Sequence, residues 1–255
     1  MPVFSHEDWE GLVNRPPYRV DWRNGDGALP QRLLRPRGRR LQLPFYLAAP
    51  PHFATGPAEA PFDFSGHMLR LCHDLTAWCE ELQQIDVSRI LFTVTSSRTR
   101  RAQGLQARVT PMRFRHGQLS RRHRGEEHQV QRFRVDGREI LYLMTYCLPR
   151  FLDQNFDEKF ITILHELFHI GPKFDGDLRR HEGRYEIHTH SQKEYDAQMA
   201  QLAREYLAGQ ADPSLHAFLR LNFAQLCDKH GGVTGVCVPR PKILPLPRRP
   251  SPTEY

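Results

Sequence analysis

The placement of proline constrains this chain more than any other feature of its sequence. Ten of its 20 prolines lie in residues 1–61 and six in residues 239–255, so only four interrupt the long middle stretch. Proline lacks an amide proton and disrupts the interiors of helices and sheets. Regular structure is therefore expected over residues 63–238. Residues 1–62, which contain Asn14-Arg-Pro-Pro, Arg35-Pro-Arg-Gly-Arg-Arg and Ala49-Pro-Pro-His, read as an extended arm or an irregular cap. Residues 239–255, beginning Pro239-Arg-Pro-Lys, read as a polyproline-like, mobile tail.

Within the middle stretch, Ser65 is expected to cap an amphipathic helix over about 66–84, with Leu71, Cys72, Leu75 and Leu82 among its apolar positions. Ile90-Leu-Phe-Thr-Val-Thr is β-branched and aromatic and predicts a strand. Ala107-Arg-Val-Thr-Pro-Met-Arg-Phe alternates as a second strand, and Pro111 argues that it lies at a sheet edge. Residues 115–128 are charged and lack an apolar period, so they predict a loop. Val130–Val135 and Glu139–Cys147 then predict two strands joined through Asp136-Gly137, a strong hairpin signal. Three helices follow, over about 157–170, 191–208 and 213–229, the second with Ser191 as its expected N-cap. This order of elements predicts an α+β fold with a mostly antiparallel sheet.

Composition excludes several classes. Hydrophobic residues make up 39 % of the 255 residues, enough for a sizeable core. No run approaches the roughly 20 apolar residues that span a bilayer, so no membrane partner is expected. The opening MPVFSHEDWEG lacks the basic and apolar segments of a secretory signal. Five cysteines are an odd number without a C-x-x-C pair, which argues against a disulfide framework and points to a reducing cytoplasm. The net charge is +7, with 36 Lys and Arg, only five of them Lys. That balance permits contact with nucleic acid or another acidic surface.

The sharpest chemical signal is Ile161-Thr-Ile-Leu-His-Glu-Leu-Phe-His-Ile-Gly-Pro172, which contains H-E-x-x-H at His165, Glu166 and His169. Asn155 and Glu158 form a possible capping box, and Gly171-Pro172 supplies a stop. On a helix the two histidines lie one turn apart on one face, so both imidazoles can reach one metal ion. Glu166 projects about 100° round the helix, where it can take a proton from a metal-bound water and pass it to a leaving amine. Zinc suits this nitrogen-rich set, and it brings the water's pKa towards neutrality. The helix is apolar nearly all round and should be buried, so its polar groups need partners.

A third ligand must come from elsewhere. The metzincin continuation requires one at position 175, where this chain has Asp, and its glycine falls one place early; that class is set aside. His188 and His190 flank the start of the next helix. In an extended segment alternate side chains sit about 7 Å apart, so only one of the pair is expected to bind, with His188 taken ahead of His190 and His181 third. The segment H-E-L-F-H-I-G-P-x-F-D-G-D-L-R-R-H, followed by H-T-H-S-x-x-x-Y-D, resembles the zinc metallopeptidases of phages and bacterial prophages. Its general plan also resembles the SprT-like minimal zincins, in which a third histidine opens the helix after the active-site helix. The likeness is most specific over residues 160–196 and loosely spans about 63–238. It implies a zincin-type core, one zinc, a glutamate general base and peptide-bond hydrolysis, with a protein or peptide as substrate.

An edge strand in such an architecture pairs with an extended substrate, and Ile140–Tyr146, which directly precedes the active-site helix, is the first candidate. Tyr185, Tyr195 and Arg180 are available to stabilise an oxyanion. Asp175 and Asp177 could orient a ligand histidine, although Asp-Gly-Asp also reads as a turn. The cysteines read as buried hydrophobes. The rival reading is a basic, nucleic-acid-associated protein with a structural or inactive zinc site, contacting its partner through the Arg35–Arg40 arm and the 113–128 loop. A peptidase whose arm covers the cleft is a third possibility.

Overall fold

The computed structural model describes residues 19–22, 29–36, 60–97, 104–180, 192–209 and 211–246. Its strands are β1 (Arg19–Trp22), β2 (Gln31–Leu34), β3 (Phe62–Asp63), β4 (Ile90–Ser96), β5 (Ala107–Pro111), β6 (Ser120–His123), β7 (Glu126–Val130), β8 (Arg132–Val135), β9 (Arg138–Ile140), β10 (Tyr142–Leu148), β11 (Val233–Val236) and β12 (Ile243–Pro245). Its helices are α1 (Phe64–Trp78), α2 (Phe156–Phe168), α3 (Gln192–Ala208), α4 (Pro213–His216) and α5 (Phe223–His230). The architecture is α+β. The strands form four three-stranded sheets, ordered β1-β8-β9, β4-β10-β5, β2-β11-β3 and β12-β7-β6, and most of their pairings are antiparallel.

The sheet β4-β10-β5 lies at the centre of the core. Strand β10 runs parallel to β4, with Tyr142 opposite Ile90, and antiparallel to β5, with Tyr146 opposite Ala107. The two-residue period divides its side chains between two cores. Ile90, Phe92, Val94, Tyr142, Met144, Tyr146 and Leu148 join the larger cluster with α1 and α2. Leu91 and Leu143 face a smaller one with Phe114, Phe133 and Val236.

Local chemistry sets many of the boundaries. Helix α1 is capped by Asp63, whose carboxylate accepts from the Gly66 amide at 3.0 Å. The expected cap, Ser65, instead accepts from the Val236 amide at 2.9 Å. The helix ends at Trp78 because the backbone turns extended at Cys79 (ψ 114°), and a separate short turn covers Glu80–Leu82. Asp136 and Gly137 close the β8–β9 hairpin with φ of +50° and +75°, the mirror-image turn that such a dipeptide favours. The expected single strand from Glu139 to Cys147 breaks at Leu141. Its amide donates to Arg89 O and its carbonyl accepts from Met112 N, so β9 and β10 enter different sheets.

The expected helix over 213–229 is likewise divided. Lys159, buried on α2, donates through Nζ to the carbonyls of Leu219 (2.9 Å) and Leu221 (2.8 Å), and burial lowers its pKa to about 8. A new capping box between Asn222 and Gln225 then starts α5. The proline-rich ends contribute strands: β1 pairs with β8, β2 with β11, and β12 with β7. Leu246, in the tail, is buried and donates from its amide to Glu127 O. The charged 113–128 segment contains the β6–β7 hairpin. All five cysteines are free and four are buried. Among the described residues no helix is long and apolar enough to cross a membrane.

Arg113, expected in a loop, is buried beside Arg132, and both guanidiniums bond the Glu139 carboxylate, Arg113 Nη2 at 2.7 Å and Arg132 Nη2 at 2.8 Å. Burial pushes the Glu139 carboxyl up, but Arg132 and Arg113 outweigh it and hold it at about 2. The stability supplied by this ionised group is complete above the ordinary value of 4.5 and is lost as the pH falls from there towards 2. Glu139→Gln should cost about 2–4 kcal/mol at pH 7 in urea unfolding, because it leaves two buried guanidiniums without their counter-charge. That deficit should narrow as both proteins are titrated from pH 4.5 down to 2.

Candidate active site

The site is built on α2. Its capping box is complete: the Glu158 amide donates to Asn155 Oδ1 (2.8 Å), and the Asn155 amide donates to Glu158 Oε2 (3.0 Å). Phe160, Ile163, Leu164 and Leu167 seat the helix in the core. This seating also buries Glu166 and His169, each only 8 % exposed, and leaves His165 partly open. The two imidazole centroids lie 4.5 Å apart, with their planes at 86°.

Glu166 faces β5. Its Oε2 accepts from the Val109 amide at 2.7 Å. Burial raises the Glu166 carboxyl to about 7, against the opposing pull of the Val109 amide and Arg108. Strand β5 can donate this amide because only one of its edges is paired, with β10; among the described residues no strand pairs with the other. The edge position that Pro111 suggested is therefore correct. Ile140–Tyr146 is not the exposed edge: β10 lies between β4 and β5, and both of its edges are hydrogen-bonded.

Helix α3 supplies the opposite wall. Tyr195 is buried, lies edge-on to His165 at 5.0 Å and is nearly parallel to His169 (18°, 6.3 Å). Burial pushes its hydroxyl up to about 12. Asp196, which the sequence reading did not single out, places Oδ1 3.4 Å from His165 Nδ1. A cleft of ≈ 440 Å³ opens between these elements, lined by Gln106, Ala107, Ile161, Thr162, His165, Glu166 and Asp196 among others.

Arg180 and Asp175 belong to the loop that follows α2. Arg180 pairs with Asp177 at 2.9 Å, and Asp175 accepts from the Asp177 amide at 3.1 Å and packs on Gly117. Asp177 accepts from the amides of His116 and Leu178, both at 2.8 Å. Burial raises its carboxyl, but the Arg180 bond and those amides pull it below the ordinary aspartate value. Tyr142 completes the clamp, donating from its hydroxyl to Asp177 O and accepting from Gly176 N. The turn reading of Asp-Gly-Asp therefore holds. Gly176 has φ of +89°, and a Cβ there would meet the Arg113 side chain at 2.4 Å. His181, Tyr185, His188, His190, the Ser191 cap and Arg37–Arg40 lie outside the described residues.

The donor chemistry fits a borderline divalent ion. Two imidazoles one helical turn apart are suited to zinc, and Asp196 occupies the Nδ1 side of one of them. Among the described residues no group of three or more His, Cys, Asp and Glu side chains stands together as a complete metal-holding set. Comparisons with protein-family models, curated proteins and solved structures found no match.

The clamp at Asp177 generates a stability prediction. Asp177→Ala removes an acceptor shared by two amides and a guanidinium, and should destabilise the protein by about 2–4 kcal/mol. Urea unfolding measures this directly, and a change below about 0.5 kcal/mol would mean that the loop is held elsewhere.

Proposed function

We propose that this chain is a zinc-dependent metalloendopeptidase with a minimal zincin-like core. The observation that carries the reading is the position of Glu166: a buried carboxyl on the two-histidine helix, hydrogen-bonded to the outer edge of β5. His165 and His169 would hold the metal, with His188, or else His190, as third ligand. When bound, zinc would polarise the scissile carbonyl and acidify water.

The remaining roles fall to the chain itself. The outer edge of β5, apart from the Val109 amide that Glu166 takes, would align an extended peptide by main-chain hydrogen bonds, beside the cleft lined by Ile161 and Thr162. Glu166, whose proton affinity burial has raised, would take a proton from the attacking water and return it to the departing amine. Tyr195, beside both imidazoles, is the candidate hydroxyl for the oxyanion. Asp175 and Arg180 are left out of this chemistry because the loop uses them.

The nucleic-acid reading has less support. In the basic hairpin Arg122 lies opposite Glu127 and His123 opposite Glu126, and Arg35 Nε donates to Gly231 O.

The test compares wild type with Glu166→Gln. The variant should retain one zinc by mass spectrometry, while cleavage of fluorescein-labelled casein falls by about 10²–10⁴-fold. Chelation should abolish wild-type cleavage, and added zinc should restore it. A Glu166→Gln protein that cleaves at the wild-type rate rejects the mechanism.

A further inference from the structure

We infer that Asp196 is a positioning residue that fixes His165 as a metal ligand, an inference that rests on the metallopeptidase reading above. A metal-binding imidazole uses one ring nitrogen as donor. The other carries a proton and needs an acceptor, which sets the tautomer and the orientation of the ring. Asp196 Oδ1 lies 3.4 Å from His165 Nδ1, on the side where such an acceptor belongs. With Nδ1–H directed at this carboxylate, Nε2 is left as the metal-donating atom of His165.

The carboxylate is held in place by its helix. Tyr195, Met199, Ala203 and Tyr206 form the buried stripe of α3 in the main core, at the spacing of successive turns. Asp196 comes directly after the first of them, so the packing that sets Tyr195 against both imidazoles also delivers Asp196 to His165. Asp196 is not itself a core residue: its side chain is 41 % exposed and lines the cleft. Removing its charge should therefore leave the packing of α3 intact.

The two histidines are thus treated differently. His165 has a carboxylate at Nδ1 and the Tyr195 ring perpendicular to its own. His169 is buried with Tyr195 nearly parallel to it, and its carbonyl accepts from the Arg179 amide at 2.7 Å. Loss of Asp196 should weaken metal binding through His165 alone.

The experiment measures zinc affinity at pH 7 by competition with a chromophoric chelator, for wild type, Asp196→Asn and Asp196→Glu. Melting of the metal-free proteins runs alongside. Asp196→Asn should bind zinc 10- to 100-fold more weakly, roughly the effect of removing such an acceptor, while still taking up one zinc at saturation. Its metal-free melting temperature should stay within about 1 °C of wild type, and Asp196→Glu should recover part of the affinity. An Asp196→Asn affinity within about twofold of wild type overturns the inference. So does a zinc content of zero at saturation, which would make Asp196 a ligand, and so does a metal-free protein that melts well below wild type. A wild type that takes up no zinc overturns the metallopeptidase reading as well, a result visible without any variant.

Discussion

A carboxylate buried on an apolar helix is costly unless something bonds it, and in this fold the bond to Glu166 comes from the Val109 amide. That contact places a demand on the sheet. A strand inside a sheet uses its amides on both sides, so only an edge strand can direct one at a neighbouring helix. Strand β5 must therefore be the last strand of its sheet, and β10 must separate it from β4. Parallel pairing of β10 with β4 and antiparallel pairing with β5 meets that requirement. It also leaves the other edge of β5 facing the histidine helix.

The second constraint is the loop from Gly171 to Arg180, which turns the chain away from the end of α2. It is fastened at both ends of its reversal: Gly171 N donates to Asp177 O, and Arg179 N donates to His169 O. Asp177 then ties the reversal to the base of the β6–β7 segment through His116. The backbone of His169 is thereby part of the clamp, so the same loop that closes the helix fixes the main chain from which its imidazole projects.

The features legible in the sequence are those whose causes lie within a few residues. The Asn155–Glu158 capping box, the Asp136-Gly137 turn and the one-turn spacing of His165 and His169 are of this kind, and so is the edge signal at Pro111. What escaped the sequence depends on partners far along the chain. Lys159 divides a helix 60 residues away by taking the Leu219 carbonyl. Val109 meets Glu166 across 57 positions, and nothing local marks either as the other's partner. Asp196 follows a helical stripe that predicts its element but not its aim. The break at Leu141 is similar: the apolar run Ile140–Met144 continues through it, and the carbonyl that claims its amide belongs to Arg89.

Arginine content is where a composition argument and the fold interact most directly. An excess of arginine invites a nucleic-acid reading because charge acts at long range. Guanidinium, however, is also a planar fork that bonds carboxylates and carbonyls at fixed geometry and stacks on rings, which an ammonium does less well. Both uses are evident here. Arg113 and Arg132 converge on Glu139, Arg180 bonds Asp177, and Arg150 donates to Leu105 O. Arg121, Arg179 and Arg220 lie over Phe114, Phe168 and Phe156. Each of these guanidiniums has an internal partner, so its charge is tied to the folded structure as well as available to a partner molecule. The imbalance between arginine and lysine then follows in part from packing, and the strongest chemical statement in the chain remains the helix that carries His165, Glu166 and His169.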